Sequence, residues 1–208
     1  MDDGVVHRSH QDEVRVLVVS DIADVQTRME QGLPSVVTED NEAPLFYSDC
    51  DAIEAAIQEL KSNETAPYAG LVIDMDVVPE DELPAFQDSI HQMQAAGVPL
   101  MLYSDEGRTQ GLNVKAEKNL FVFDAEKEPF QSGNTARLLQ SFGKKIAEFN
   151  QKPTAEKAEL NAELANGLEG KANKVIGRTK EVGVPKEKLR EPSLDGVVSP
   201  PPEVGLGG

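Results

Sequence analysis

Apolar residues along this chain come in short unbroken runs, and four of the runs stop at an oxygen-bearing side chain. Val16-Leu17-Val18-Val19 runs into Ser20-Asp21, and Leu71-Val72-Ile73 into Asp74-Met75-Asp76. Pro99-Leu100-Met101-Leu102-Tyr103 runs into Ser104-Asp105, and Leu120-Phe121-Val122-Phe123 into Asp124. Apolar runs without alternation read as strands covered on both faces, and open α/β sheets collect their chemistry at the carboxyl ends of such strands. Strands are therefore predicted at 14–19, 71–73, 99–103 and 120–123, with a weaker one at 44–47.

Between the runs the period changes from continuous to helical. Ile53, Ala56, Ile57 and Leu60 predict a helix over 51–60, and Phe86, Ile90 and Met93 one over 84–96 that Gly97 ends. Leu138, Leu139, Phe142 and Ile146 predict a helix over 135–149, and a shorter helix is expected over 22–31. Asp21 is placed to cap that helix, and Gly32-Leu33-Pro34 breaks it. Residues 105–118 are polar and poor in helix formers. Alternation of five strands with helices predicts a doubly wound α/β domain over 13–150 with a five-stranded parallel sheet. Right-handed crossovers would gather Asp21, Asp74, Ser104 and the turn from Asp124 to Lys127 on one edge.

The flanks read differently. Residues 1–12 suggest a flexible leader, and 191–208, with Ser199-Pro200-Pro201-Pro202 and a Gly-Leu-Gly-Gly end, a disordered tail. Residues 151–190 are rich in Ala, Glu and Lys and predict a charged helical extension with breaks near Gly167–Gly170 and Gly183–Pro185. Its apolar positions, among them Leu160, Leu164 and Leu168, are sparse, so the extension is expected to dock weakly or stand exposed.

Charge sharpens this division. Residues 1–150 hold 28 acidic and 11 basic side chains and residues 151–208 nine of each, so the whole net charge of −17 belongs to the sheet domain. Such a domain repels phosphate backbones and anionic lipid. Nucleic acid and membrane are set aside as partners, and a protein with a basic surface is favoured. The single cysteine, Cys50, fits a reducing compartment and reads as a buried structural thiol. No apolar run approaches membrane-spanning length and the N-terminus lacks a signal-peptide pattern, so a cytoplasmic protein is expected. Of the histidines, His7 and His10 lie in the leader and His91 is expected at the surface. Asp49 and Asp51 are expected to cap the helix that follows them.

In order and spacing, residues 13–149 resemble the receiver domain of two-component response regulators. Val18-Val19-Ser20-Asp21 is similar to the acidic pair after that family's first strand, and Leu71-Val72-Ile73-Asp74 to the strand bearing its phosphoaccepting aspartate. Val98 to Ser104 is similar to the strand ending in the switch hydroxyl, with the family's usual interval of 30 residues from Asp74 to Ser104. The resemblance implies Asp74 as phosphoacceptor, Ser104 as switch, Lys127 as the phosphoryl-pairing lysine, and a Mg²⁺ held by Asp21, Asp74 and Asp76. The chain departs from the family where Ser20 replaces one acid, where Pro79 follows Asp74 by five residues instead of four, and where Glu128 separates Lys127 from Pro129.

Two other resemblances compete. Asp74-Met75-Asp76-Val77-Val78, with Tyr103-Ser104 and the acids Asp124 and Glu128, is similar to the motifs of haloacid dehalogenase-type phosphatases, which implies Asp74 as nucleophile and Asp76 as acid/base. That family needs a further strand and helix before its acidic motif, and only 15 residues lie between Ser104 and Leu120. Residues 169–183 resemble the repeated segment of CsbD-like bacterial stress proteins. The combined expectation is a signalling or scaffold module acting by protein–protein contact, free to work without phosphorylation, and not an enzyme. Homo-oligomer formation through the extension stays open. A phosphatase using Asp74 and Asp76, or a stress-associated structural protein, are the alternatives.

Overall fold

In a computed structural model, which describes residues 13–112, 114–125 and 132–170, the apolar runs become the centre of a six-stranded sheet. The chain runs β1 (Val14–Val19), α1 (Ala23–Gly32), β2 (Ser35–Val37), β3 (Glu42–Cys50), α2 (Ile53–Ser62), β4 (Gly70–Asp74), α3 (Leu83–Ala95), β5 (Leu100–Ser104), β6 (Leu120–Asp124) and α4 (Gly133–Asn150). A further helix, α5, covers residues 154–170. The strand order is β2-β3-β1-β4-β5-β6.

The expected five-stranded, wholly parallel sheet is corrected in one respect. β3, β1, β4, β5 and β6 are parallel, but β2 adds an antiparallel edge, pairing Ser35 with Pro44 and Val37 with Glu42. The strand expected at 44–47 is the longer β3, and β2 reaches it through a tight turn closed by Thr38 N–H to Asn41 C=O at 2.8 Å. β4 and β5 are buried along their whole length, which requires cover on both faces. The crossovers place α1 on one face and α2 and α3 on the other. α4 lies beside α1, with Gly143 against Leu33 and with Phe142 and Ile146 against Gly70.

Arg15 is the polar exception in β1. Its guanidinium donates to Ala66 C=O at 2.6 Å and to the Tyr68 hydroxyl at 2.9 Å and lies 4.4 Å from the centre of that ring. The hydrogen bonds and the cation–π contact offset the cost of drawing a charge into the sheet.

Helix ends depart from expectation. α1 begins with Ile22 as its cap residue and no side-chain cap bond, so Asp21 does not cap it. Ala52 precedes α2, also without a side-chain cap, so neither Asp49 nor Asp51 serves there. Ser132 does cap α4, accepting from Thr135 N–H at 3.1 Å. Gly97, at φ +80°, turns the chain out of α3 as expected. Cys50 is half-buried, and burial pushes its thiol up to about 12, consistent with an inert side chain. His91 is exposed.

α5 does not stand off the domain. Leu164, Ala165 and Leu168 are fully buried, and burying each leucine contributes about 2 kcal/mol. Instead of breaking the helix, Gly167 lets it approach α3: a Cβ there would meet Met93 Cγ at 2.9 Å and the Met93 backbone N at 3.2 Å. Asn161, also fully buried, accepts from Tyr68 N–H and donates to Tyr68 C=O, both at 2.9 Å. Its amide thus behaves as one rung of a sheet, tying the helix to the entry of β4. Asn161→Ala should cost about 2–4 kcal/mol, because two bonds vanish and buried backbone groups lose their partners. Urea unfolding measures this, and a loss below about 0.5 kcal/mol would show that the amide does not anchor α5.

Candidate functional site at the carboxyl edge of the sheet

The sequence runs β1 to β3 in one direction and β3 to β4 in the other, so the strand order reverses between β1 and β4. That crevice is where open α/β sheets bind ligands. Here it is closed by protein. The Ser20 hydroxyl, just past β1, donates to Asp74 Oδ2 at the end of β4 over 2.8 Å. Asp74 Oδ1 accepts from Asp76 N–H at 3.0 Å, starting a 3₁₀ turn over Met75–Val77. Asp74 is only 1% exposed.

That turn carries the Asp76 carboxylate away from Asp74 and toward β5. Its Oδ1 accepts from the Ser104 hydroxyl at 2.8 Å and its Oδ2 from Asp105 N–H at 2.9 Å. Ser104 in turn accepts from Arg108 N–H at 2.9 Å and Glu106 N–H at 3.2 Å. Arg108 places its Nε 3.9 Å from Asp76 and donates from Nη1 to Val78 C=O. On the other side Arg28, from α1, pairs with Asp105 at 2.6 Å and donates to the Tyr103 hydroxyl, which itself donates to Asp105 at 2.9 Å. Tyr103 is held by stacking on Phe123 at 5.0 Å. Two carboxylates of this edge, Asp76 and Asp105, thus face an arginine each.

The candidates read from the sequence divide accordingly. Asp74, Asp76 and Ser104 come together in one bonded network. Asp21 is exposed, and Lys127 lies outside the described residues, as do Pro129, His7, His10 and residues 171–183 of the CsbD-like stretch. Among the described residues no group of three or more His, Cys, Asp or Glu side chains is arranged to hold a metal ion. Between β5 and β6 the only helical piece among the described residues is the turn Arg108–Gly111, and no further strand intervenes. Arg28 and Arg108 belong to no motif. The one signal for Arg28 is scarcity, since only three basic residues precede Lys61 and Arg28 is one of them.

No protein-family model, curated protein or solved structure matches this chain.

Burial raises the Asp74 carboxyl from its ordinary 3.8 to about 6, and the charges of Asp76 and Asp105 add to the rise, while the bonds from Ser20 and Asp76 N–H oppose it. A carboxyl that holds its proton more tightly folded than unfolded stabilises the fold most below pH 3.8, and that contribution is lost as pH rises through about 6. The gap corresponds to roughly 3 kcal/mol. Stability of the native chain relative to Asp74→Asn should therefore fall between pH 4 and about 6.5. Paired urea unfolding series check this, and carboxyl-carbon NMR should report Asp74 titrating near 6, whereas a midpoint near 4 would contradict it.

Proposed function

We propose that this chain is a protein-interaction module, a receiver-like signalling or scaffold domain that works without phosphorylation in the cytoplasm. The observation that carries the reading is the state of Asp74: 1% exposed, with both oxygens already bonded to Ser20 and to Asp76 N–H. A phosphoacceptor or nucleophile needs an oxygen open to incoming phosphorus, with charge stabilisation waiting around it. Here the cations that could supply it, Arg28 and Arg108, are engaged with Asp105, Asp76 and backbone.

The receiver-like part of the reading is supported by the order of the five parallel strands, which is the order of flavodoxin-type doubly wound sheets. The phosphatase reading is weakened by Asp76, whose carboxylate is bonded to Ser104 and Asp105 and is not free for acid/base work beside Asp74. Exposed acids remain around the same edge, at Asp21, Asp24, Glu80, Asp81 and Glu106. They favour a partner with a basic surface, met through long-range attraction that weakens with salt.

Incubation with Mg²⁺ and a small phosphodonor should leave the intact mass unchanged, and millimolar Mg²⁺ should leave the melting temperature unmoved. A phosphoryl adduct that disappears in Asp74→Asn would overturn the phosphorylation-free reading. Turnover of a chromogenic phosphate ester, lost in Asp76→Asn, would replace it with the phosphatase.

A further inference from the structure

A groove of about 540 Å³ lies at the amino edge of the sheet, the end opposite Asp74. It opens between the last turns of α3 and α4 and the starts of β5 and β6. Its apolar floor includes Phe149 and Pro99, both buried. Although residues 1–150 hold the chain's whole net charge of −17, the rim gathers Lys118 and Lys145, joined by Lys152 from just beyond them, with Glu148 as its one lining carboxylate.

Three facts set these lysines apart from ordinary surface charge. First, Lys118 has no carboxylate partner among the described residues, whereas Lys145 pairs with Glu148 and Lys152 with Glu156 in exposed contacts of 3.0 and 2.8 Å. Such exposed helical pairs are worth only about 0.3–0.5 kcal/mol and yield readily to a competing anion. Second, Lys118 is the one non-glycine residue at positive φ among the described residues, at 55°. A lysine held in the left-handed region carries strain that Gly or Asn would avoid, and strain of this kind gathers at ligand sites. Third, the carboxyl ends of the two helices are already capped by other groups. Asn119 Nδ2 donates to Gln94 C=O and Val98 C=O, and Lys157 donates to Asn150 C=O. The groove lysines are not needed for that task. The wall is also fixed in place, since Gln94 Nε2 bonds Glu117 C=O at 3.0 Å next to Lys118.

We propose that this groove binds a small organic anion, a carboxylate carried on a flat apolar body, with Lys118 and Lys152 meeting the charge and Phe149 and Pro99 the body. The volume lies in the range of small-molecule sites, and an apolar floor with a few convergent polar groups is their usual composition. The site lies outside the Asp74 network and stands or falls separately from the interaction-module reading.

The test is titration of the full-length, nitrogen-15-labelled chain with 2-naphthoate, 2-naphthalenemethanol and inorganic phosphate. Naphthoate should shift the amides of Lys118, Asn119 and Lys152 saturably, and the neutral alcohol should not. Lys118→Gln should weaken Kd roughly fivefold, the scale of one exposed charge contact. Lys118→Gly should weaken it equally while raising the melting temperature, because glycine accepts the backbone angle without strain. Phosphate binding as tightly as naphthoate would overturn the organic-anion assignment. So would equal shifts from the alcohol, or a Kd unchanged in both Lys118 variants.

Discussion

Asp74 has been taken out of water, and the rest of the carboxyl edge is arranged around that fact. A buried carboxylate is costly unless donors replace its lost solvent. Ser20 and Asp76 N–H supply them, and the second of these fixes the turn over Met75–Val77. The turn then aims Asp76 at Ser104, Ser104 gathers the backbone N–H groups of Glu106 and Arg108, and Arg108 closes the circuit onto Asp76 and Val78 C=O. Each bond commits the next residue. Removing a member strands a buried neighbour, so the network behaves as one unit whose pairs are worth more together than apart.

The same constraint explains how so acidic a domain holds together. Self-repulsion from a net charge of −17 opposes the compact state. Of the few cations of the first half, Arg28 is set directly against a carboxylate and Arg15 against neutral groups. Arg15 lies within the sheet against Tyr68, and Arg28 reaches across from α1 to Asp105. The carboxylates at Asp21, Asp24, Glu80 and Asp81 stay in solvent, where water screens them and no partner is needed.

What could be read from the sequence follows from how much each residue's setting depends on its neighbours in the chain. β1, β4, β5 and β6 are legible because burial on both faces leaves an unbroken apolar run, and α3 and α4 because their apolar stripe is local. β2 is not legible: Ser35-Val36-Val37 buries only its middle residue and exists because Glu42 to Pro44 are there to pair with it. Gly167 reads as a helix breaker from propensity alone, yet its missing side chain is what lets α5 lie against Met93. Asn161 and Arg28 have partners 93 and 77 residues away, a relation no local pattern encodes. At the carboxyl edge Asp74, Asp76 and Ser104 are legible as a cluster, but not the direction in which Asp76 turns.

Titration of Asp74 need not rearrange this edge, and the hydrogen-bond pattern shows why. Oδ1 accepts from Asp76 N–H, a donor that cannot reverse, so an added proton belongs on Oδ2. There it would meet Ser20 Oγ at 2.8 Å, and a hydroxyl can accept as well as donate. The Ser20 hydrogen, released from Asp74, has a second acceptor ready in Ile22 C=O at 3.1 Å. Protonation therefore rotates one hydroxyl and reverses one bond, and every heavy atom keeps its place. An aspartate in the position of Ser20 could not do this, because its carboxylate would repel Asp74 until a proton or a cation intervened. The serine lets the crevice between β1 and β4 keep one geometry in either protonation state of Asp74.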